Sequence, residues 1–266
     1  MKRIFITGAS SGIGLATSKA LLQQGNEVWG TSRDPARLPQ QVGFHPIQLD
    51  LSEPPTIERA FRTALAEAER IDVLINNAGE GLFGPMELLS LEELEAQFQI
   101  LVFAHARLMQ LAIPAMRAEA GGLIINVTSL ASRLPVPFMA AYNAAKAAMA
   151  SLTFSAQLEL PDDLVRIVDL QPADICTSFN DSIRIDSLQA LYGPAVARAW
   201  RVADENMKHA PPPEMVANRI LQLMADPNPP PRVTVGNVFQ SRLAPFMFRF
   251  LPQRVRILGL KKYYRL

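Results

Sequence analysis

Tyr142 and Lys146 stand four positions apart in the run Tyr142-Asn143-Ala144-Ala145-Lys146. On a helix that spacing makes a phenol and an ammonium neighbours on one face. A nearby positive charge favours phenolate and lowers a tyrosine from its ordinary pKa of about 10, which suits Tyr142 to general acid–base work near neutral pH. Taken alone, Tyr-x-x-x-Lys also describes any exposed helix face. Its value lies in company. Thirteen residues before Tyr142, Ser129 follows the apolar run Ile124 to Val127, where its hydroxyl is placed to hydrogen-bond a carbonyl or an alcohol.

A second cluster follows the short apolar run Ile4-Phe5-Ile6: Thr7-Gly8-Ala9-Ser10-Ser11-Gly12-Ile13-Gly14. Between a strand and a helix, such glycines let the backbone approach a pyrophosphate at the helix N-terminus. The spacing is G-x-x-x-G-x-G, and a purely structural turn is the other reading of these residues. The next strand ends Gly30-Thr31-Ser32-Arg33. At that place a carboxylate binds the 2′-hydroxyl of NAD, and a basic residue accommodates the 2′-phosphate of NADP. Asp34 precedes Pro35, the pairing of a helix cap with a first helical residue. Arg33 is left as the phosphate reader, with Ser10 and Thr31 or Ser32 as helpers. NADP(H) is favoured over NAD(H), unless Arg33 is simply a solvated loop charge.

These residues need elements to hold them. Strands are expected over Lys2–Thr7, Glu27–Thr31, Phe44–Leu49, Asp72–Ile75, Leu123–Val127 and Leu164–Leu170, with helices over Leu15–Gln24, Thr56–Glu69, Leu91–Ala118 and Tyr142–Leu160. Strands apolar on both faces, alternating with helices, indicate βαβ units. The expected fold is α/β, a single-domain Rossmann-type doubly wound parallel sheet over residues 1–266 with helices on both faces. Beyond Leu170 the alternation stops. Pro172 to Leu191 reads as irregular, and Tyr192–Lys208 and Glu214–Met224 as helical; 172–210 is the candidate substrate lid, because ligands sit beyond the carboxyl ends of such strands.

With the glycine turn, Asn76-Asn77-Ala78-Gly79, Ser129, and Tyr142 with Lys146 in this order and spacing, the chain resembles the short-chain dehydrogenase/reductase family over roughly Lys2 to Phe179. The resemblance implies that Tyr142 protonates a carbonyl oxygen or deprotonates an alcohol. Lys146 would hold the nicotinamide ribose and lower the Tyr142 pKa, while Ser129 orients the substrate. It also implies that Gly8, Ser10, Ser11, Gly12, Ile13 and Gly14 cradle the cofactor, that Asp50 and Leu51 flank the adenine, and that Asn77, Ala78 and Gly79 line it. Pro172, Ile175 and Thr177 would contact the nicotinamide end.

Two positions depart from the family pattern. Leu101 stands where many members carry an Asn that supports a water-linked proton relay, and His105, one turn further on, shares its face and is a candidate substitute. Gln171-Pro172-Ala173 stands where Pro-Gly is common, and Ala fits only if its φ stays negative.

The 266 residues carry 26 Lys+Arg and 25 Asp+Glu, a formal charge of +1. That sum conceals an asymmetry: from Arg232 onward there are eight basic residues and no acidic one, leaving 18 basic against 25 acidic residues in the rest. Lone Cys176 and three scattered His exclude a disulfide framework and a Cys/His metal site, and fit a reducing, cytoplasmic setting. The start of the chain has too short an apolar run for a signal peptide. The stretch Phe98 to Met116, broken by His105, Arg107 and Pro114, reads as a buried helix rather than a membrane span. The basic extension, 232–266, mixes cations with Phe246, Phe248 and Phe250. It is expected either to touch an anionic membrane surface peripherally or to cover the sheet edge or the cleft; no motif points to nucleic acid.

Apolar loops at Leu82-Phe83, Leu134 to Met139 and Ile175 to Phe179 either line a pocket for a lipophilic substrate or pack a lid onto the body. The chain looks most like family members acting on steroids, retinoids or other lipophilic ketones and alcohols. The expected activity is NADP(H)-dependent interconversion of a lipophilic ketone or aldehyde and its alcohol; the alternative is a catalytically weak NADP(H)-binding protein acting through a partner. A homodimer or homotetramer built on the helices Leu91–Ala118 and Tyr142–Leu160 is expected by resemblance.

Overall fold

The computed structural model describes residues 1–119, 121–160, 164–177, 179 and 193–266. Seven strands form one parallel sheet in the order β3-β2-β1-β4-β5-β6-β7. They are β1 (Arg3–Ile6), β2 (Glu27–Ser32), β3 (Phe44–Gln48), β4 (Val73–Asn76), β5 (Gly122–Val127), β6 (Val165–Pro172) and β7 (Arg232–Val235). The chain runs outward from β1 to β3 and then returns to β4 on the other side of β1, so the carboxyl ends of β1 and β4 part to leave a crevice.

Alternation along each strand builds two cores. Ile4 and Ile6 face α1 (Gly12–Gln23) and the late helix Glu214–Ala225, packing with Leu21, Val216 and Ile220. Phe5 faces the other way, into a core with residues of α2 (Pro54–Ala68) and of the helix Ala104–Arg117. There the Phe5 and Phe61 rings meet edge to face at 5.6 Å. The run 91–117 is long and apolar enough to cross a membrane, yet Ala104, Leu108, Ala112 and Met116 are buried against the sheet.

The long helix expected over Leu91–Ala118 is interrupted. It consists of α3 (Leu91–Phe98), a π-helical turn over Gln99–Phe103, and α4 (Ala104–Arg117). Next in the chain come α5 (Ala140–Glu159), α6 (Pro194–Lys208) and α7 (Glu214–Ala225). Residues 178 and 180–192 of the expected lid lie outside the described residues.

The basic extension differs most from expectation, because Arg232 opens a strand. β7 is a four-residue edge strand with one buried residue, Val235, preceded by three prolines. So short a one-sided strand carries little periodic signal. A second π-helical turn, Phe239–Leu243, then leads into α8 (Ala244–Phe250), and Pro252 separates this from α9 (Gln253–Tyr263). These pieces are tied back to the body. Tyr264 is buried against Ala199 and Val202 of α6, Asn206 donates to the Tyr263 hydroxyl at 2.8 Å, and Arg198 donates to the Arg265 carbonyl at 2.9 Å. The extension therefore roofs the carboxyl end of the sheet.

Candidate functional site

The glycine turn sits at the crevice between β1 and β4. Gly8 and Gly12 hold φ of +72° and +51°, a region costly to residues with a side chain. A Cβ on Gly14 would lie 2.0 Å from the Gly8 carbonyl oxygen. Ser11 caps α1 in extended conformation without a side-chain hydrogen bond, and the first turn holds no acidic residue. The leading N–H groups of α1 are thus left to face the crevice, the arrangement that receives an anion. Close backbone approach, open donors and no competing carboxylate all fit a pyrophosphate.

The surrounding residues divide into those that face a ligand and those that hold the loop. Thr31 Oγ1 accepts from Gly8 N at 3.3 Å and Ser32 Oγ from Asp34 N at 3.2 Å, so both hydroxyls are engaged by the backbone. Asp34 caps a 3₁₀ turn by accepting from Ala36 N at 3.0 Å. Arg33 is left exposed at the end of β2, 3.9 Å from Glu80. Burial raises the Asp50 carboxyl, but hydrogen bonds from Ser52 and the charge of Arg33 bring it below its usual value. Leu51 packs into the core. Asn77 turns its amide to the Thr7 carbonyl at 2.9 Å, while Thr7 Oγ1 accepts from Asn77 N and Ala78 N, each at 2.9 Å. Asn77 therefore clamps β4 to β1 and offers little of its side chain to a ligand. Gly79 lies where a Cβ would be 3.0 Å from Leu101 and 3.8 Å from Lys146 Nζ.

Ser129, Tyr142 and Lys146 come together beyond β5. Ser129 caps a 3₁₀ turn, accepting from Ala131 N at 3.1 Å, and lies near enough to Tyr142 to lower its pKa. Tyr142 and Lys146 follow on successive turns of α5. Lys146 is 4% exposed, and its Nζ donates to the Val127 carbonyl at 2.8 Å, 5.8 Å from the centre of the Tyr142 ring. Burial lowers its pKa to about 8, opposed by the charge of Asp169. The expectation that Lys146 depresses Tyr142 is overturned. Burial pushes the phenol up to about 12, with the Ser129 hydrogen bond lowering it and the Asp174 charge raising it further. The physical reason is that removing a phenolate from water outweighs an ammonium already committed to a carbonyl. At neutral pH Tyr142 keeps its proton, the form that donates to a carbonyl oxygen.

A cavity of about 520 Å³ opens on this trio. Its floor includes Ile13, Gly79, Pro172, Ile175 and Thr177 beside the glycine turn; Met139 and Phe179 form a wall; Met247, Leu251 and Leu260 from the extension form the roof. Ala173 does not have a positive φ, and Gly236 makes room for it: a Cβ on Gly236 would lie 2.6 Å from that of Ala173. The glycine the family places in one strand end is matched here by one in its neighbour.

At the π-helical turn Leu101 is fully buried. His105 is buried too, with Nε2 unpartnered among the described residues. Burial first, then the Lys146 charge, lowers its pKa to about 3 against a hydrogen bond to the Leu101 carbonyl, so it is a neutral group facing Lys146.

Two carboxylates escaped the sequence reading. Asp169, 2% exposed, accepts from Arg232 Nε at 2.8 Å, from Gln171 at 2.7 Å and from Thr128. The signal was present, as a single acid in the apolar run Val165–Pro172. Asp174 stands on the cavity wall, held by Gln240, and its partner lies 66 residues away in the chain.

The sequence profile of the family described as short chain dehydrogenase matches residues 2–187. A 3-ketodihydrosphingosine reductase of Bacteroides thetaiotaomicron is 30% identical over 264 residues, covering 98% of this chain and 97% of that protein. Among solved structures, an alcohol dehydrogenase of Thermococcus sibiricus complexed with 5-hydroxy-NADP superimposes with a TM-score of 0.74 at 25% identity over 89% of this chain and 97% of that one. A short-chain dehydrogenase/reductase of Burkholderia phymatum in complex with NAD reaches a TM-score of 0.81 at 21% identity over 97% and 95%.

Proposed function

This chain belongs to the short-chain dehydrogenase family, a family of oxidoreductases, and on that premise we propose that it is an NADP(H)-dependent reductase of lipophilic ketones or aldehydes with Tyr142 as the proton donor. The observation that carries the reading is the placement of Ser129, Tyr142 and Lys146 on the wall of an apolar cavity that adjoins the glycine turn. A nicotinamide held there would supply the hydride that such a reduction needs. The glycine turn and the α1 N-terminus would hold the pyrophosphate and Arg33 the 2′-phosphate; Asp34 is spent on its cap, and the carboxylate nearest Arg33 is that of Glu80 at 3.9 Å. Ser129 and Tyr142 grip the carbonyl oxygen, and Tyr142 Oη releases its proton to it. Lys146, whose Nζ lies 5.8 Å from the centre of the Tyr142 ring, would hold the nicotinamide ribose. A pKa of about 12 at Tyr142 keeps the phenol protonated at neutral pH, the state from which a reduction starts. The similarity to a 3-ketodihydrosphingosine reductase supports a long-chain ketone.

The test is NADPH oxidation with a panel of lipophilic carbonyls, against Tyr142→Phe. The variant is expected to lose roughly 10²–10⁴-fold in kcat; a variant matching wild type on every substrate turned over would remove Tyr142 from the mechanism.

We further propose that the outer face of the extension rests on an anionic membrane. Phe246, Phe250 and Leu258 are each about two-thirds exposed beside Arg249, Arg254 and Lys261, the mixture that suits a headgroup region. Vesicles with anionic lipid should sediment the protein at low salt, and Phe246→Glu with Phe250→Glu should abolish it; no binding at low salt would refute the reading. A homo-oligomer built on the helical segments 91–117 and 140–159 remains part of the proposal. Leu101 and Leu108 are buried within the chain, whereas Phe103, Phe154 and Leu158 are exposed on α4 and α5 or beside them.

A further inference from the structure

The cavity is apolar except at a few points, and one of these has no part in the mechanism above. Asp174 lies two residues beyond the end of β6, on the segment that also carries Ile175 and Thr177. It faces the same cavity as Tyr142. Together with Glu205, Asn206, His209, Gln240 and Tyr263 it also borders a second, more polar recess that opens beside the cavity. Gln240 donates to its carboxylate and is itself fixed: Asn237 donates to Gln240 Oε1 at 3.0 Å, and Gln240 N donates to Asn237 Oδ1 at 2.8 Å. The carboxylate is thus held by one neutral donor, itself fixed in place.

Among the described residues Asp174 forms no ion pair with Lys, Arg or His; His209 borders the same recess but has its Nδ1 on the Glu205 carbonyl at 2.9 Å. The two basic groups on the cavity wall are committed elsewhere, Lys146 to the Val127 carbonyl and Arg256 to the Leu251 carbonyl at 2.7 Å. Burial raises the Asp174 pKa, with the Gln240 hydrogen bond opposing. Its charge is felt at Tyr142, Tyr263 and Tyr264. A carboxylate withdrawn from water and left without a counter-charge is costly unless a ligand completes it.

We infer that Asp174 is the anchor for a protonated amine on the substrate, so that the site takes a long-chain ketone bearing an ammonium group close to the carbonyl. The inference rests on the reading that the cavity beside Ser129 and Tyr142 is the substrate site. The apolar roof takes the chain, Ser129 and Tyr142 take the carbonyl oxygen, and Asp174 takes the nitrogen at the mouth of the polar recess. A bound ammonium also offsets the Asp174 charge, which adds to the effect of burial in raising the Tyr142 pKa, so the correct substrate makes its own acid a better donor. Asp174 acts here on specificity and takes no part in bond making.

The test pairs a long-chain 2-amino-3-ketone with the 3-ketone of the same length, each with NADPH. Wild type is expected to favour the amino ketone by about ten- to hundredfold in kcat/KM. In Asp174→Asn that ratio should fall to about one, and Asp174→Glu, which keeps the charge, should restore most of it. A binding arm runs beside the kinetics: dodecylamine against dodecanol on the protein–NADP⁺ complex by calorimetry, with the amine bound more tightly by wild type and not by Asp174→Asn. If neither ketone is reduced, the proposed activity fails while amine binding still judges Asp174. Equal handling of both ketones by wild type, a preference that survives in Asp174→Asn, or amine binding indifferent to the substitution would each overturn the inference.

Discussion

The residues up to Lys146 and those beyond Pro172 face the same cavity but are held there by different physics. On the first side, backbone conformation decides: positive φ at Gly8 and Gly12, a missing Cβ at Gly14, and an Asn77 amide that locks β4 to β1. Such constraints are local and intolerant. On the second side, contacts between distant segments decide: Gln240 on Asp174, Asn206 on Tyr263, and Tyr264 packed on α6. These side chains are individually replaceable, and they shape what enters. The difference teaches that the chemistry and the choice of substrate are carried by separable parts, joined where β6 delivers Pro172, Ile175 and Thr177 to the floor of the cavity.

Breaking the first side should have the largest effect. Gly14→Ala places a methyl against the Gly8 carbonyl oxygen; it should cost about 1–3 kcal/mol or more in chemical denaturation and remove tight NADPH binding in calorimetry. Arg33→Glu leaves the turn intact and should weaken NADPH by about ten- to hundredfold while sparing NADH. An unchanged ratio of the two affinities would return Arg33 to the role of a solvated charge.

The smallest effect sharpens the boundary between the two sides. His105, neutral in the fold down to about pH 3, takes a proton below pH 6.5 once unfolded. Between those values the unfolded chain binds more protons, so stability falls as pH drops from 6.5 towards 3. His105→Gln should make that slope shallower by up to ~1.4 kcal/mol per pH unit, read from denaturation at pH 4, 5 and 6. An unchanged slope would mean that His105 is protonated in the fold. If kcat is also unchanged across pH, a relay through His105 is excluded.

Legibility followed the same division. Motifs within a few residues of one another, Gly8 to Gly14 and Ser129 to Lys146, announced both the parallel sheet and the place where its site forms, because their geometry is set by local backbone. The π-helical turn at Gln99–Phe103 had no such mark. β7 was hidden because Arg232–Val235 is short and lies at the sheet edge. The Tyr142 pKa was misjudged for a related reason: spacing on a helix shows the Lys146 neighbour but not the depth of burial, and burial prevailed. Asp174 reads as one more loop acid until Gln240 and the cavity are seen around it. The acidic body and basic extension, which cancel to +1 in the sum, meet in the structure as the Asp169–Arg232 pair behind the site.

The central claim is that a generic proton donor and cofactor turn are made selective by an apolar cavity roofed by the extension. The most direct measurement is kcat/KM with NADPH for a series of unbranched ketones of increasing length, in wild type and in Leu260→Glu. Wild type should gain roughly three- to fourfold per buried methylene until the cavity is filled, and Leu260→Glu should flatten the rise while short ketones react as before. A rate independent of chain length in wild type, or the same rise in the variant, would contradict the account.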